Sequence, residues 1–142
     1  MKKFCVVGNP IDHSLSPKLH NFWFKKNKIN ATYEKKLLKD EEIPKLVNSL
    51  RKTEINGVNV TVPFKNSIIP FLDDLSPEAK KTNSVNTLLK EGDKIIGHNT
   101  DIAGFELAIR YINYDVKRKK AFIIGAGGVS PSIIFCFKKY GM

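Results

Sequence analysis

The chain has 142 residues, of which 42% are hydrophobic and 27% charged. At that length one core can bury about two-thirds of the unfolded surface, so no disulfide or metal staple is required. The composition excludes collagen-like, low-complexity and disordered chains. The net charge of +10 raises the question of nucleic acid, but three arginines stand among 21 lysines scattered along the sequence. Phosphate and base recognition favours arginine forks with interleaved aromatic residues, and neither is clustered here. Cys5 and Cys136 lie in the apolar runs FCVVG and IIFCF and read as buried, reduced thiols. The apolar stretch after Met1-Lys2-Lys3 breaks at Asn9-Pro10, too early for a secretory signal. Ala121–Phe137 is interrupted by glycines, serines and Pro131 and falls short of the ~20 residues of a membrane helix. The expectation is a cytoplasmic protein with neither nucleic acid nor membrane among its partners.

Taken in chain order, strands and helices alternate, which is the pattern of an α/β layer fold. Phe4–Val7 is a short buried strand stopped by Gly8-Asn9-Pro10. Ser16-Pro17 opens a helix to about Asn27, with Ser16 as N-cap and Leu19, Phe22 and Trp23 as its inward face. Thr32–Leu38 is a second strand. A helix from Asp40 to about Lys52 turns Ile43, Leu46, Val47 and Leu50 inward. Gly57–Val62 is a third strand, ended by Pro63, and short helical pieces follow at Lys65–Leu72 and Pro77–Lys81. Val85–Leu89 and Lys94–Gly97 flank Glu91-Gly92-Asp93, a hairpin turn. Asp101 starts a helix to about Tyr111. After the charged loop Lys117-Arg118-Lys119-Lys120, a strand at Ala121–Ile124 leads through a glycine run into a helix from about Val129 to Tyr140. The domain break falls between Tyr114 and Lys120, giving 1–114 and 115–142. The fold class is α/β: a mixed, largely parallel sheet with helices on both faces, followed by the first β-α of a Rossmann domain.

Four stretches carry chemistry. Gly125-Ala126-Gly127-Gly128-Val129 lies between an apolar strand and an apolar helix, the context in which glycines let backbone approach a dinucleotide pyrophosphate at a helix N-terminus. A plain strand–helix turn reads equally well. The third fingerprint position is Ser130. A βαβ unit takes ~30 residues or more, with its ribose-reading residue ~20 past the glycines. Fourteen residues follow Gly128, so the nucleotide unit reads as cut short. Ser14 and Ser16, one residue apart beside a helix N-terminus, can receive a carboxylate, or can simply turn and cap. Asn59 and Thr61 alternate onto one side of a strand, with Lys65 just past its end, where α/β sheets place ligands. Asn86 lies in one further Asn-Thr cluster and Asp101 in another. Asp101 is either a helix cap or the partner of Lys65 in a proton-transfer pair. His13, His20 and His98 have no spacing that suggests a metal.

Together GNPIDHSLSPKLHN at 8–21, GVNVTVPFK at 57–65, NSVNT at 83–87, GHNTDIAGF at 97–105 and GAGGV at 125–129 resemble the shikimate dehydrogenase family, in order and spacing across the whole chain. The resemblance implies reversible NADPH-dependent reduction of 3-dehydroshikimate to shikimate. It implies that Ser14 and Ser16 hold the substrate carboxylate, that Asn59, Thr61, Asn86 and Asp101 bind ring hydroxyls, and that Lys65 and Asp101 are the catalytic pair. Gly125, Ala126, Gly127, Gly128 and Val129 would lie against the cofactor pyrophosphate. Family members commonly carry Arg where Pro131 stands, and the NADP preference comes from the family with no residue of this sequence behind it. The alternatives are the quinate/shikimate dehydrogenase branch and a non-catalytic shikimate-binding module. Monomer and homodimer both stay open.

Overall fold

The computed structural model describes residues 1–141. Six strands form one sheet: β1 (Lys2–Gly8), β2 (Ala31–Leu37), β3 (Gly57–Val60), β4 (Asp74–Leu75), β5 (Thr87–Glu91) and β6 (Lys94–His98). Their spatial order is β2-β1-β3-β5-β6-β4. β1 pairs in parallel with both β2 and β3, while β5 runs antiparallel to β3 and to β6. The sheet is therefore mixed and largely parallel, with β5 as the reversed strand. The two-residue β4, which no apolar run announces, pairs in parallel with β6 at the sheet edge. Gly92 takes the positive φ of +60° in the β5–β6 hairpin, a conformation free of Cβ strain only for glycine.

Successive residues of a strand face opposite sides, and β1 uses both. Cys5 and Val7 join the larger core with Val58, Val60 and Leu88, which α2 (Ile43–Arg51) closes through Ile43, Leu46, Val47 and Leu50. Phe4 and Val6 join a smaller cluster with Ile11, Tyr33 and Phe24 beneath α1 (Ser16–Lys26). Helices thus cover both faces. Burial pushes the Cys5 thiol up to about 11.

The sequence expectation for α1 fails in two ways. Leu19, Phe22 and Trp23 are 48, 60 and 45% exposed, and the helix instead turns His20 and Phe24 toward the sheet, where His20 stacks on Tyr33 with ring centroids 4.2 Å apart. Ser16 is the first helical residue rather than the cap, and no side chain caps this helix. Pro17 does sit in the first turn, where its missing N–H costs little.

The remaining helices are α3 (Phe64–Ser67), α4 (Pro77–Thr82), α5 (Asp101–Tyr111) and α6 (Ser130–Lys139). α5 and α6 pack together through Phe105 on Phe137, at 5.4 Å between centroids, and through Lys139 Nζ at 2.7 Å from Glu106 Oε1. The strand expected at 121–124 is not formed: that stretch joins no ladder, and Phe122 and Ile124 are each 90% exposed. An apolar run becomes a strand only where a neighbour takes its N–H and C=O groups, and no described strand lies beside this one.

Candidate functional site

The topology gathers the predicted residues at one edge of the sheet. β1, β3 and β6 point the same way, so the segments after them emerge together, and the reversed β5 brings its beginning to that same edge. Ser14 and Ser16 follow β1, Thr61 and Lys65 follow β3, Asn86 precedes β5, and Asp101 follows β6. Ligands in open α/β sheets bind at this carboxyl edge.

Lys65, on the single-turn helix α3, is 9% exposed and donates from Nζ to Asp101 Oδ2 at 2.6 Å. The other carboxylate oxygen, Oδ1, accepts from Asn86 Nδ2 at 2.9 Å. Asn86 is itself oriented by Thr100, whose N–H donates to Asn86 Oδ1 at 2.9 Å and whose Oγ1 accepts from Asn86 Nδ2 at 2.8 Å. A charged ammonium buried this far requires a close counter-charge, and Asp101 provides it. The cap reading of Asp101 is not what the structure adopts. Asn99 Oδ1 accepts from the N–H groups of Asp101 and Ile102, at 2.9 and 3.3 Å, which leaves the Asp101 carboxylate to Lys65 and Asn86.

Asn59 is held on three sides. Tyr33 donates its hydroxyl to Asn59 Oδ1 at 2.6 Å, and Asn59 Nδ2 donates to Thr87 Oγ1 at 3.0 Å and to the Asn86 carbonyl at 3.3 Å. Both amide hydrogens are spent within the protein, so only the second lone pair of Oδ1 remains for a ligand. Thr61 stays attached to β1, its N–H donating to the Val7 carbonyl at 2.9 Å. It comes so close to Gly8 that a Cβ there would meet Thr61 Cγ2 at 2.6 Å, which is why glycine ends β1. Ser14 and Ser16 are half-buried, with the Ser16 N–H donating to Ser14 Oγ at 3.4 Å. The structure records no direct contact between these serines and the Lys65–Asp101 pair.

The glycine run is brought to the same place. Gly128 lies against the lysine stem, where an added Cβ would meet Lys65 Cβ at 3.0 Å, and its carbonyl accepts from Ser84 Oγ at 2.5 Å. Gly125 has φ +105°, and open space surrounds both Gly125 and Gly127. A backbone free of side chains at the start of the ten-residue α6 fits an approaching pyrophosphate.

A family model for the shikimate dehydrogenase substrate binding domain matches residues 6–88. The chain belongs to that family. A shikimate dehydrogenase (NADP(+)) of Pelagibacter ubique is 61% identical over 138 residues, covering 97% of this chain and 52% of the relative, and one of Clostridium botulinum is 40% identical over 134 residues, covering 94% and 52%. Among solved structures, shikimate dehydrogenase 1 of Peptoclostridium difficile superposes with a TM-score of 0.95 at 38% identity, over 100% of this chain and 54% of that one. The shikimate 5-dehydrogenase of Thermus thermophilus in complex with NADP(H) and shikimate gives 0.91 at 34%, over 100% and 54%. The chain spans about half the length of the shikimate dehydrogenases it matches.

Sequence reasoning alone missed Tyr33, Ser84 and Asn99 as parts of this network. Ser84 and Asn99 lie inside the quoted motifs and were legible there as unexplained polar residues. Tyr33 had no such signal, because a lone aromatic residue in a strand reads as core.

Proposed function

We propose that this chain carries the substrate site of an NADP-dependent shikimate dehydrogenase, which interconverts 3-dehydroshikimate and shikimate. The observation that carries the reading is the part-buried Lys65–Asp101 pair at 2.6 Å on the carboxyl edge of a sheet whose family binds this substrate. On this reading residues 1–114 are the substrate domain and 115–142 open the nucleotide-binding domain. Ser14 and Ser16, in the segment that follows β1, take the ring's carboxylate. Asn59, Thr61, Asn86 and Asp101 take the ring hydroxyls, Asn59 as an acceptor.

When bound, NADPH supplies the hydride that reduces the ketone carbon. Gly125, Ala126, Gly127, Gly128 and Val129 would hold its pyrophosphate. The Lys65 ammonium hydrogen-bonds the ketone oxygen and donates a proton as that oxygen becomes a hydroxyl. Asp101 keeps the ammonium aimed, and the amine left after proton donation regains its proton from solvent water. In the reverse direction the same nitrogen receives the hydroxyl proton. Buried between Asp101 and Gly128, Lys65 is oriented before the substrate arrives, which is how positioning lowers a barrier.

A shikimate-binding module without hydride transfer is favoured by one observation, the unpaired stretch at 121–124. Calorimetry with shikimate, beside an assay of NADPH consumption with 3-dehydroshikimate, separates the two readings. The protein is expected to bind shikimate, and in any preparation that turns over, Lys65→Ala is expected to lower kcat by about 100-fold or more while KM changes little. No shikimate binding would overturn the substrate reading, and equal losses in affinity and rate would reduce Lys65 to a binding residue.

A further inference from the structure

The most deeply built polar cluster outside the proposed contacts centres on Asn99, which is 6% exposed, with Ser84 and Ser132 at 0% and Thr82 at 4%. The two ends of the Asn99 amide act on different elements. Its oxygen accepts from Asp101 N–H and Ile102 N–H and caps α5. Its nitrogen has two hydrogens to share among three acceptors within reach, Ser132 Oγ at 2.8 Å, Thr82 Oγ1 at 3.0 Å and the Ser84 carbonyl at 3.0 Å. Ser132 is on α6, the helix that follows the glycine run, and Ser84 in turn holds the Gly128 carbonyl. One buried amide thus touches the start of α5, the segment leading to Asn86, and the glycine-run helix.

We infer that Asn99 is a positioning residue that joins the glycine run to the Lys65–Asp101 pair. Its oxygen satisfies the first-turn N–H groups of α5, to which a nearby carboxylate would otherwise be drawn, and so leaves Asp101 for Lys65. Its nitrogen seats α6 so that Gly128 closes over the lysine stem. The nucleotide end and the proton-transfer end are then held as one unit. The inference rests on the proposed function for the meaning of that pair, and its structural core can be read without any substrate.

Two thiols provide the readout. Cys136 lies on α6 beneath α5, fully buried, with Sγ 3.4 Å from the Ile102 carbonyl, whereas Cys5 lies in the central sheet. Alkylation by iodoacetamide, followed site by site by mass spectrometry, separates opening of this seam from global unfolding. In Asn99→Ser the short hydroxyl still caps a helix well but does not span to Ser132. Cys136 is expected to react about tenfold faster or more, since buried hydrogen bonds are lost, with Cys5 unchanged and shikimate affinity within about threefold of the starting protein. In Asn99→Ala the cap is lost as well, and shikimate affinity is expected to fall about tenfold further. Should Asn99→Ala fail to fold, Ser132→Ala removes one acceptor, leaves the cap intact and carries the same expectation for Cys136. Unchanged Cys136 reactivity in Asn99→Ser, or parallel gains at Cys136 and Cys5, would overturn the inference. A starting protein that binds no shikimate would instead overturn the proposed function, and the thiol ratio would still decide whether the seam exists.

Discussion

Lys65 is fixed from two directions, by the Asp101 carboxylate at its tip and by the Gly128 backbone along its stem. Asp101 is fixed by Asn86, and Asn59 by Tyr33, so orientation is passed through side-chain amides whose N–H hydrogens are used up inside the protein. Behind Tyr33 stands His20, stacked against its ring, and burial holds the His20 imidazole below its ordinary value of 6.5. The unfolded chain therefore binds a proton that the folded one resists. Stability is full above about pH 6.5 and is lost as the pH falls below it, until the depressed folded value is passed. Urea midpoints between pH 7 and pH 5 are expected to fall with acidification and to fall less in His20→Phe, which keeps a ring on Tyr33. An identical slope in the two proteins would remove His20 from the account.

At the level of elements, α2 was legible and α1 was not, for one physical reason. Ile43, Leu46, Val47 and Leu50 form a single stripe, and the helix buries that stripe. α1 carries two stripes about a third of a turn apart. Leu19, Phe22 and Trp23 are more hydrophobic, but His20 and Phe24 face the sheet, because stacking on Tyr33 and packing on Phe4 reward shape. Hydropathy counts transfer from water and does not see that geometry. The same limit explains 121–124, where an apolar run predicts a strand but only a partner strand can make one. Asp101 was ambiguous for a different reason: aspartate suits both a helix cap and a lysine, and only the position of Asn99 decides between them. Leu50→Ala is expected to cost about 2–5 kcal/mol in urea denaturation, and Leu19→Ala to stay within about 0.5 kcal/mol. The reverse ranking would place the α1 face where hydropathy put it.

Across the whole molecule the reversed strand is decisive. β5 runs against its neighbours, so Asn86 at its beginning reaches the same edge as Lys65 and Asp101 at the ends of forward strands. The ordered polar motifs were therefore readable as a set from the sequence, while their convergence required the topology. Seam contacts from Ser84 and Asn99 bring the glycine run to that edge as well. The position of a bound ligand tests the site most directly. A crystal structure of the chain with shikimate is expected to show the carboxylate on the Ser14 and Ser16 hydroxyls and a ring oxygen within hydrogen-bond distance of Lys65 Nζ and Asp101. A ring bound away from that pair, or turned so that its carboxylate meets Lys65, would contradict it.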